Sequence, residues 1–179
     1  KTINNCPYHF AKNMNFLAKQ ARNELLLLVN DDVILDRLTV DMAINEINKN
    51  KDVEIIGGVL RTNDGTLSHA GILFNNDKYP YNRYRPELGT KINHKKPIRS
   101  TLVPATTGAL ILLKKQSLIR VPFRETFKNC CEDVALALDH EQVFGNKILL
   151  LDRFSGIHNE KSTRGNTDDK EDYEQLKKI

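Results

Sequence analysis

The sequence predicts an α/β layered fold: a mixed, mostly parallel sheet flanked by helices. Three observations predict it. Leu25-Leu26-Leu27-Leu28-Val29 is a short aliphatic run between polar flanks, the pattern of a strand buried on both faces of a parallel sheet. Segments of helical period alternate with such runs along the first sixty residues. Asn63-Asp64-Gly65 then forms a hairpin turn and brings antiparallel pairing into the sheet.

The elements follow in order. Phe10, Met14, Leu17, Ala18 and Ala21 lie on one face of an amphipathic helix. The strand Leu25–Val29 follows. A second helix is predicted from about Leu38 to Asn48, with Met42, Ile44 and Ile47 inward, and Val53 to Leu60 is a further buried strand. After the turn at Asp64 the chain returns as Thr66 to Phe74. Leu102 to Val103 and Ala109 to Leu113 are strand-like, with Thr106-Thr107-Gly108 between them. Glu132 to Phe144 has helical period through Val134, Leu136, Leu138 and Val143, and Gly145 is placed to cap its end. Lys147 to Leu151 is the last strand. From Asn159 onward the chain is polar, a loose tail or a docked helix.

A chain of 179 residues with 40% apolar and 28% charged residues is long enough for one domain with a real core. No apolar run approaches the roughly 20 residues that cross a bilayer. Three cysteines, Cys6, Cys130 and Cys131, fit no zinc spacing and point to a reducing cytoplasm. Cys130 and Cys131 read as fillers of a small space. The net charge is +4, yet residues 76 to 99 alone carry seven basic side chains against two acidic ones. This stretch also holds Tyr79, Tyr81 and Tyr84 and three prolines, without helical or strand period. Such a loop suits phosphate, an acidic saccharide or an anionic membrane surface, and equally a mobile solvated loop. No recognition motif accompanies it, so nucleic acid is not expected as a partner.

Asn30-Asp31-Asp32 carries the chemistry. It stands at the carboxyl end of a predicted strand, where open α/β sheets bind ligands. Two adjacent carboxylates there call for a positive partner, and a divalent cation carrying a diphosphate would supply one. Asn and Asp also favour turns and helix caps, so a solvated turn fits these three residues alone.

The remaining motifs, taken together, resemble the family 2 glycosyltransferases. Phe10-Ala11-Lys12-Asn13-Met14-Asn15 is similar to the family's helix with an Asn in its first turns, and Leu28-Val29-Asn30-Asp31-Asp32-Val33 to its DXD-type motif. Asp64-Gly65-Thr66-Leu67-Ser68-His69-Ala70-Gly71 resembles its "DG…HAG" hairpin, and Thr107-Gly108-Ala109-Leu110-Ile111-Leu112 its "TGA" strand. Phe123-Arg124-Glu125-Thr126-Phe127 with Glu132-Asp133-Val134 resembles "FDE-x-F … EDV". His158 with Ser162-Thr163-Arg164-Gly165 resembles the closing His and "S-x-RG". Three positions depart from the pattern: Ala135 replaces an acid, Asp139 a basic residue, and His9 a frequent Gly.

The resemblance implies a GT-A fold and metal-assisted sugar transfer from a nucleotide-sugar to a hydroxyl, with inversion. It implies Mn2+ or Mg2+ on Asp32, with His158 completing the shell, and donor contacts from Asn30 and Asp31. Asp133, beside Glu132, becomes the catalytic base; on their own both acids would simply cap their helix. Thr106, Thr107 and Gly108 fall on the acceptor side, Gly108 for close backbone approach, while His69 and Gly71 read as hairpin packing. The acceptor would be a saccharide or a lipid-linked one, with peripheral membrane contact through residues 76–99. Residues 1–158 read as a partial catalytic domain and 159–179 as a polar tail. The family's first strand, helix and second strand would lie before Cys6, so a fragment that binds donor weakly and either forms a homodimer or has a partly disordered N-terminal segment is expected. Two other classes share these features: a non-catalytic carbohydrate-binding or scaffold fragment, and a metal-dependent phosphohydrolase or nucleotidyltransferase.

Overall fold

The computed structural model describes residues 8–84, 90, 98–158 and 169–179. Cys6, residues 85–89 and 91–97 of the basic stretch, and Ser162-Thr163-Arg164-Gly165 lie outside the described residues. Helix α1 (Phe10–Gln20) leads into β1 (Leu25–Val29), β2 (Val33–Leu35), α2 (Thr39–Lys49) and β3 (Ile55–Arg61). Four short strands follow: β4 (Leu67–His69), β5 (Ile72–Phe74), β6 (Pro80–Asn82) and β7 (Thr101–Leu102). The chain continues through β8 (Leu110–Lys114), α3 (Lys115–Arg120), α4 (Glu132–Phe144), β9 (Ile148–His158) and α5 (Lys170–Leu176).

The main sheet has the order β1-β8-β3-β9-β2, with β4 on β3 and β7 on β9. It is mixed, as expected, but the parallel majority is not found. Among the described pairs only β3 and β9 run parallel. Of the sheet's antiparallel pairs only β3–β4 comes from a direct return, at the Asp64-Gly65 turn; β1–β8, β3–β8, β2–β9 and β7–β9 join strands far apart in sequence. β1 pairs with β8 alone among the described strands, and its burial alternates, leaving Leu27 and Val29 exposed. The expectation of a strand buried on both faces therefore fails for β1. It is met by β3, whose residues from Ile55 to Leu60 are all buried.

Alternate residues of β3 feed two cores. Ile55 and Val59 face α1, α3 and α4 with Leu26, Leu28, Leu113 and Leu136. Ile56 and Leu60 face α2 with Ala43, Ile47, Leu110 and Phe154. The helical faces differ slightly from their predicted ones. Leu17 and Met42 are exposed, and Ala11, Asn15 and Ala18 form the buried stripe of α1. A third cluster joins Phe127, Cys131, Val134 and Ala135 to Leu176 of α5, so the chain from Lys170 is a docked helix.

β9 is longer than predicted. Gly57 faces Leu150 but Val59 faces Ser155, so β9 bulges between two paired halves. The bulge hides the strand from a reading that stops at the polar Asp152-Arg153. Its second half pairs with β2 and delivers His158 opposite Val33, next to Asp32. Part of the basic stretch is also strand: β6 pairs with β5, and Ile98 and Tyr84 pack on the core.

Candidate active site

The candidate residues gather around the carboxyl end of β1. Asn30 donates its N–H to the Ala109 carbonyl at 3.0 Å and accepts from Val33 N at 3.1 Å, a tight turn that presents Asp31 and Asp32. Asp31 is exposed and Asp32 half-buried. His158 arrives at the end of β9 with its Nε2 3.1 Å from Asp32 Oδ1. Its Nδ1 is buried and meets no hydrogen-bond partner among the described residues.

Gly108 links this turn to α4. Its N–H donates to Asp133 Oδ2 at 2.8 Å, while Asp133 Oδ1 accepts from Val134 N at 2.8 Å. A carboxylate offers about four acceptor positions, so these two bonds fix its orientation without exhausting it. A Cβ on Gly108 would sit 3.0 Å from Phe10 Cζ and 3.5 Å from Asp133 Cβ. Close approach is thus what this glycine allows. Glu132 precedes Asp133 in the first turn of α4, half-buried. Asp32, His158, Gly108 and Asp133 therefore belong to one bonded neighbourhood at one end of the sheet.

Thr106 and Thr107 are set by His69, a residue expected only to pack the hairpin. His69 Nε2 receives the N–H groups of Gly71 at 3.1 Å and Thr107 at 3.3 Å, and lies 3.3 Å from Thr106 Oγ1. Two amides aimed at Nε2 make it the bare nitrogen, so Nδ1 carries the proton toward Asn82 Oδ1 at 3.1 Å. Burial pushes the His69 pKa down to about 4, against the upward pull of Asn82, with nearby His158 lowering it further. The ring is therefore neutral at pH 7. Thr106 also packs against β3, where a Cβ on Gly57 would collide with its hydroxyl. The "HAG" and "TTG" segments are thus one unit; their joint presence in the sequence was the available signal.

The helix flanks carry two further supports. Asn15 of α1 binds both the N–H and the carbonyl of Phe123 at 2.9 Å and donates to Glu125 Oε1 at 3.0 Å. Arg124 meets Asp139 through two bonds of 2.7 Å. Asp139, one of the three departures from the motif, is thereby paired with a cation. Cys130 and Cys131 lie 3.3 Å apart, sulfur to sulfur. Cys131 is buried, and the bond from Cys130 and burial push its thiol far up, which leaves it protonated and inert.

A metal can be tested against this donor set. Among the described residues no group of three or more His, Cys, Asp or Glu converges. Asp32 and His158 supply one carboxylate oxygen and one imidazole nitrogen close together. Mn2+ accepts both donor types, and a divalent ion held by few side chains takes the rest of its shell from phosphate oxygens and water. The pair fits that kind of site. It would not make a closed structural site.

No family model matches the chain. Over 165 residues it is 28% identical to the O-antigen biosynthesis protein RfbC of Myxococcus xanthus, covering 88% of this chain and 12% of that protein. Three solved structures are similar at low identity. GalNAc-T7 with UDP, GalNAc and Mn2+ superposes with a TM-score of 0.62 and 10% identity, over 84% of this chain and 30% of its own. The mannosyltransferase PcManGT of Pyrobaculum calidifontis, with GDP-Man and Mn2+, gives 0.54 and 14%, over 85% and 37%. Glucosyl-3-phosphoglycerate synthase of Mycobacterium tuberculosis with phosphoglyceric acid gives 0.53 and 14%, over 90% and 50%. The chain thus spans about an eighth of the curated relative and up to half of these solved chains, and what it carries is the GT-A fold of glycosyltransferases over that part.

Proposed function

We propose that this chain is the part of a family 2-like glycosyltransferase that grips the donor diphosphate and activates the acceptor hydroxyl. The sugar would pass from a nucleotide-sugar to a saccharide or lipid-linked hydroxyl with inversion. One observation carries the reading: Asp32 with His158, and Asp133 with Gly108, meet at one end of the sheet through the bond from Asn30 to Ala109.

Each residue has a task. Asp32 and His158 would hold Mn2+ or Mg2+, which when bound neutralises charge developing on the diphosphate. Asn30 and Asp31, on the same turn, orient the ribose or the sugar by hydrogen bonding. Asp133 takes the proton from the acceptor hydroxyl as the new bond forms, since that hydroxyl is too weak an acid to ionise alone near neutral pH. The N–H groups of Gly108 and Val134 hold the carboxylate in place for this. Glu132 shares the start of α4 and supports the same edge. Thr107 and Gly108 shape the acceptor side, with Thr106 and His69 behind them. In a single displacement the acceptor oxygen, giving its proton to Asp133, bonds to the anomeric carbon from the face opposite the nucleoside diphosphate, whose C–O bond breaks as it leaves, and the anomeric carbon inverts. The described cations of the basic stretch, Lys78, Arg83 and Arg99, would meet the anionic acceptor or the cytoplasmic membrane surface. Among the described residues no helix is long and apolar enough to cross a membrane.

The test uses the full-length protein that carries this chain. Release of UDP or GDP from UDP- and GDP-sugars is followed with and without Mn2+. Release that depends on Mn2+, and is lost in Asp32→Ala with the fold intact, is expected. Unchanged donor binding and release in a folded Asp32→Ala would overturn the assignment.

A further inference from the structure

We propose that Asp172 is a positioning residue, which acts on transfer by fixing the loop that starts α4 and so the place of Asp133. The inference rests on Asp133 being the base.

Asp172 sits in a polar helix of seven residues, yet it is among the most buried charged residues, at 3% exposure. Its carboxylate takes three successive backbone N–H groups: Lys128 at 3.1 Å, Asn129 at 2.7 Å and Cys130 at 3.0 Å. Oδ2 accepts all three, and Oδ1 shares only Lys128. Successive amides turned inward form a small anion-binding nest, here filled by a side chain more than forty residues further along. The next residue, Cys131, stands in the left-handed region at φ 70° and starts α4 without a side-chain cap. The side chain at the cap therefore adds no bond, and beside the bonds of Asp133 to Gly108 and Val134 the start of the helix is held one residue before the cap, by Asp172.

The rest of α5 has the same target. Leu176 packs with Phe127, Cys131, Val134 and Ala135. Gln175 donates to Thr126, and Lys128 pairs with Glu171 at 2.9 Å. Tyr173 stacks on Tyr79 at 5.2 Å, tying the basic stretch to the same helix. Leu176 and Tyr173 dock α5 through apolar and ring contacts. What the buried carboxylate adds is the position of residues 128–130, and through them of Asp133. The three amides hold its pKa below the usual range against the upward push of burial, so it binds them as an anion.

The experiment compares Asp172→Ala, Asp172→Asn and Asp133→Asn in the full-length protein. The readouts are Mn2+-dependent release of UDP or GDP from a UDP- or GDP-sugar, and amide hydrogen exchange. Asp172→Ala should lower kcat roughly ten- to a hundredfold, the scale of a small misplacement of a catalytic group. The donor KM should stay within about twofold, since the donor grips another segment. Exchange should accelerate at residues 128–130. Asp172→Asn keeps one oxygen for Asn129 and Cys130 and should recover most of kcat. A folded Asp172→Ala with wild-type kcat, or a parallel change of kcat and KM, overturns the proposal. Where Asp172→Ala does not fold, Asp172→Ser, too short to reach the amides, is read by the same criteria. If Asp133→Asn itself transfers normally, the base assignment fails instead. If only Asp172→Ala does, the positioning role alone fails.

Discussion

β2 carries an aspartate at each end, and the two are used in opposite ways. Asp36, after the strand, is closed off: Arg61 grips both its oxygens at 2.6 Å, and Ser155 donates to Oδ2 at 2.5 Å. Asp32, before the strand, faces the imidazole of His158, itself a potential metal ligand. His69 and His158 divide in the same way. His69 has both nitrogens bonded and is neutral by burial, whereas His158 keeps a buried Nδ1 without a partner among the described residues. Residue type does not separate the site from its scaffold. On the proposed reading, what separates them is how the fold answers the side chain: the saturated Asp36 and His69 hold the sheet together, and Asp32 and His158 meet metal and substrate.

The largest effect should come from the acid that holds no place in either pair. Asp133→Asn should bind donor normally and lose transfer on the order of 10²- to 10⁴-fold, the usual contribution of a general base. Stopped assays of nucleotide release beside calorimetric donor binding check it. Near wild-type turnover would make Asp133 one more saturated scaffold acid, held by Gly108 and Val134. Next comes the contrast within β2. Asp32→Ala should weaken Mn2+-dependent donor binding by at least roughly ten- to a hundredfold, the loss that even an outer partner of a metal ligand causes. Asp36→Ala should leave donor affinity unchanged. Equal losses from both would erase the comparison.

Much of this was legible in sequence, and the gaps have physical causes. The bounds of α4, its capping Gly145 and the turn at Asp64-Gly65 came from period and turn chemistry, which are local. β2 was not visible: Val33-Ile34-Leu35 is three residues long, with Ile34 exposed, and becomes a strand only by pairing with the distant end of β9. α3, at six residues, is too short to display a period. The candidate residues were picked out by the order of motifs, not by any local property, since Asp32 and His158 come together only in the folded sheet. Asp172 had no signal at all. Its partners are backbone amides, which leave no mark on a sequence.

The histidine half of the comparison predicts a pH dependence. Burial lowers the pKa of His69 to about 4, so between there and the unfolded value near 6.5 the unfolded chain binds the extra proton. The stability due to this group is thus complete above about pH 6.5 and falls as the pH drops toward 4, by about 1.4 kcal/mol per unit. His140, also lowered to about 4 chiefly by burial, adds a similar slope. Urea unfolding at pH 7 and pH 5 should therefore show a smaller difference in His69→Gln than in wild type. An unchanged slope would mean that His69 is not held neutral by its surroundings.

The smallest effect concerns Asp36 itself. The bond to Arg61 is what chiefly lowers its pKa, with Ser155 helping and burial opposing. Its contribution is then present above the unfolded value near 3.9 and disappears as the pH falls through the lower folded value. The pair is only partly buried, with side chains 26% and 33% exposed, so solvent screens it. Asp36→Ala at pH 7 should cost about 1 kcal/mol, mostly through the bonds lost by Arg61 and Ser155. Because Arg61 is left without its partner, Arg61→Ala should cost less once Asp36 is already Ala. A double-mutant cycle by urea unfolding reads that difference, and it should shrink as the pH falls through the lowered folded value and the carboxylate takes up its proton. A cycle that gives no coupling at pH 7 would show that Asp36 is not saturated by Arg61, and the separation of the two ends of β2 would then rest on Asp32 alone.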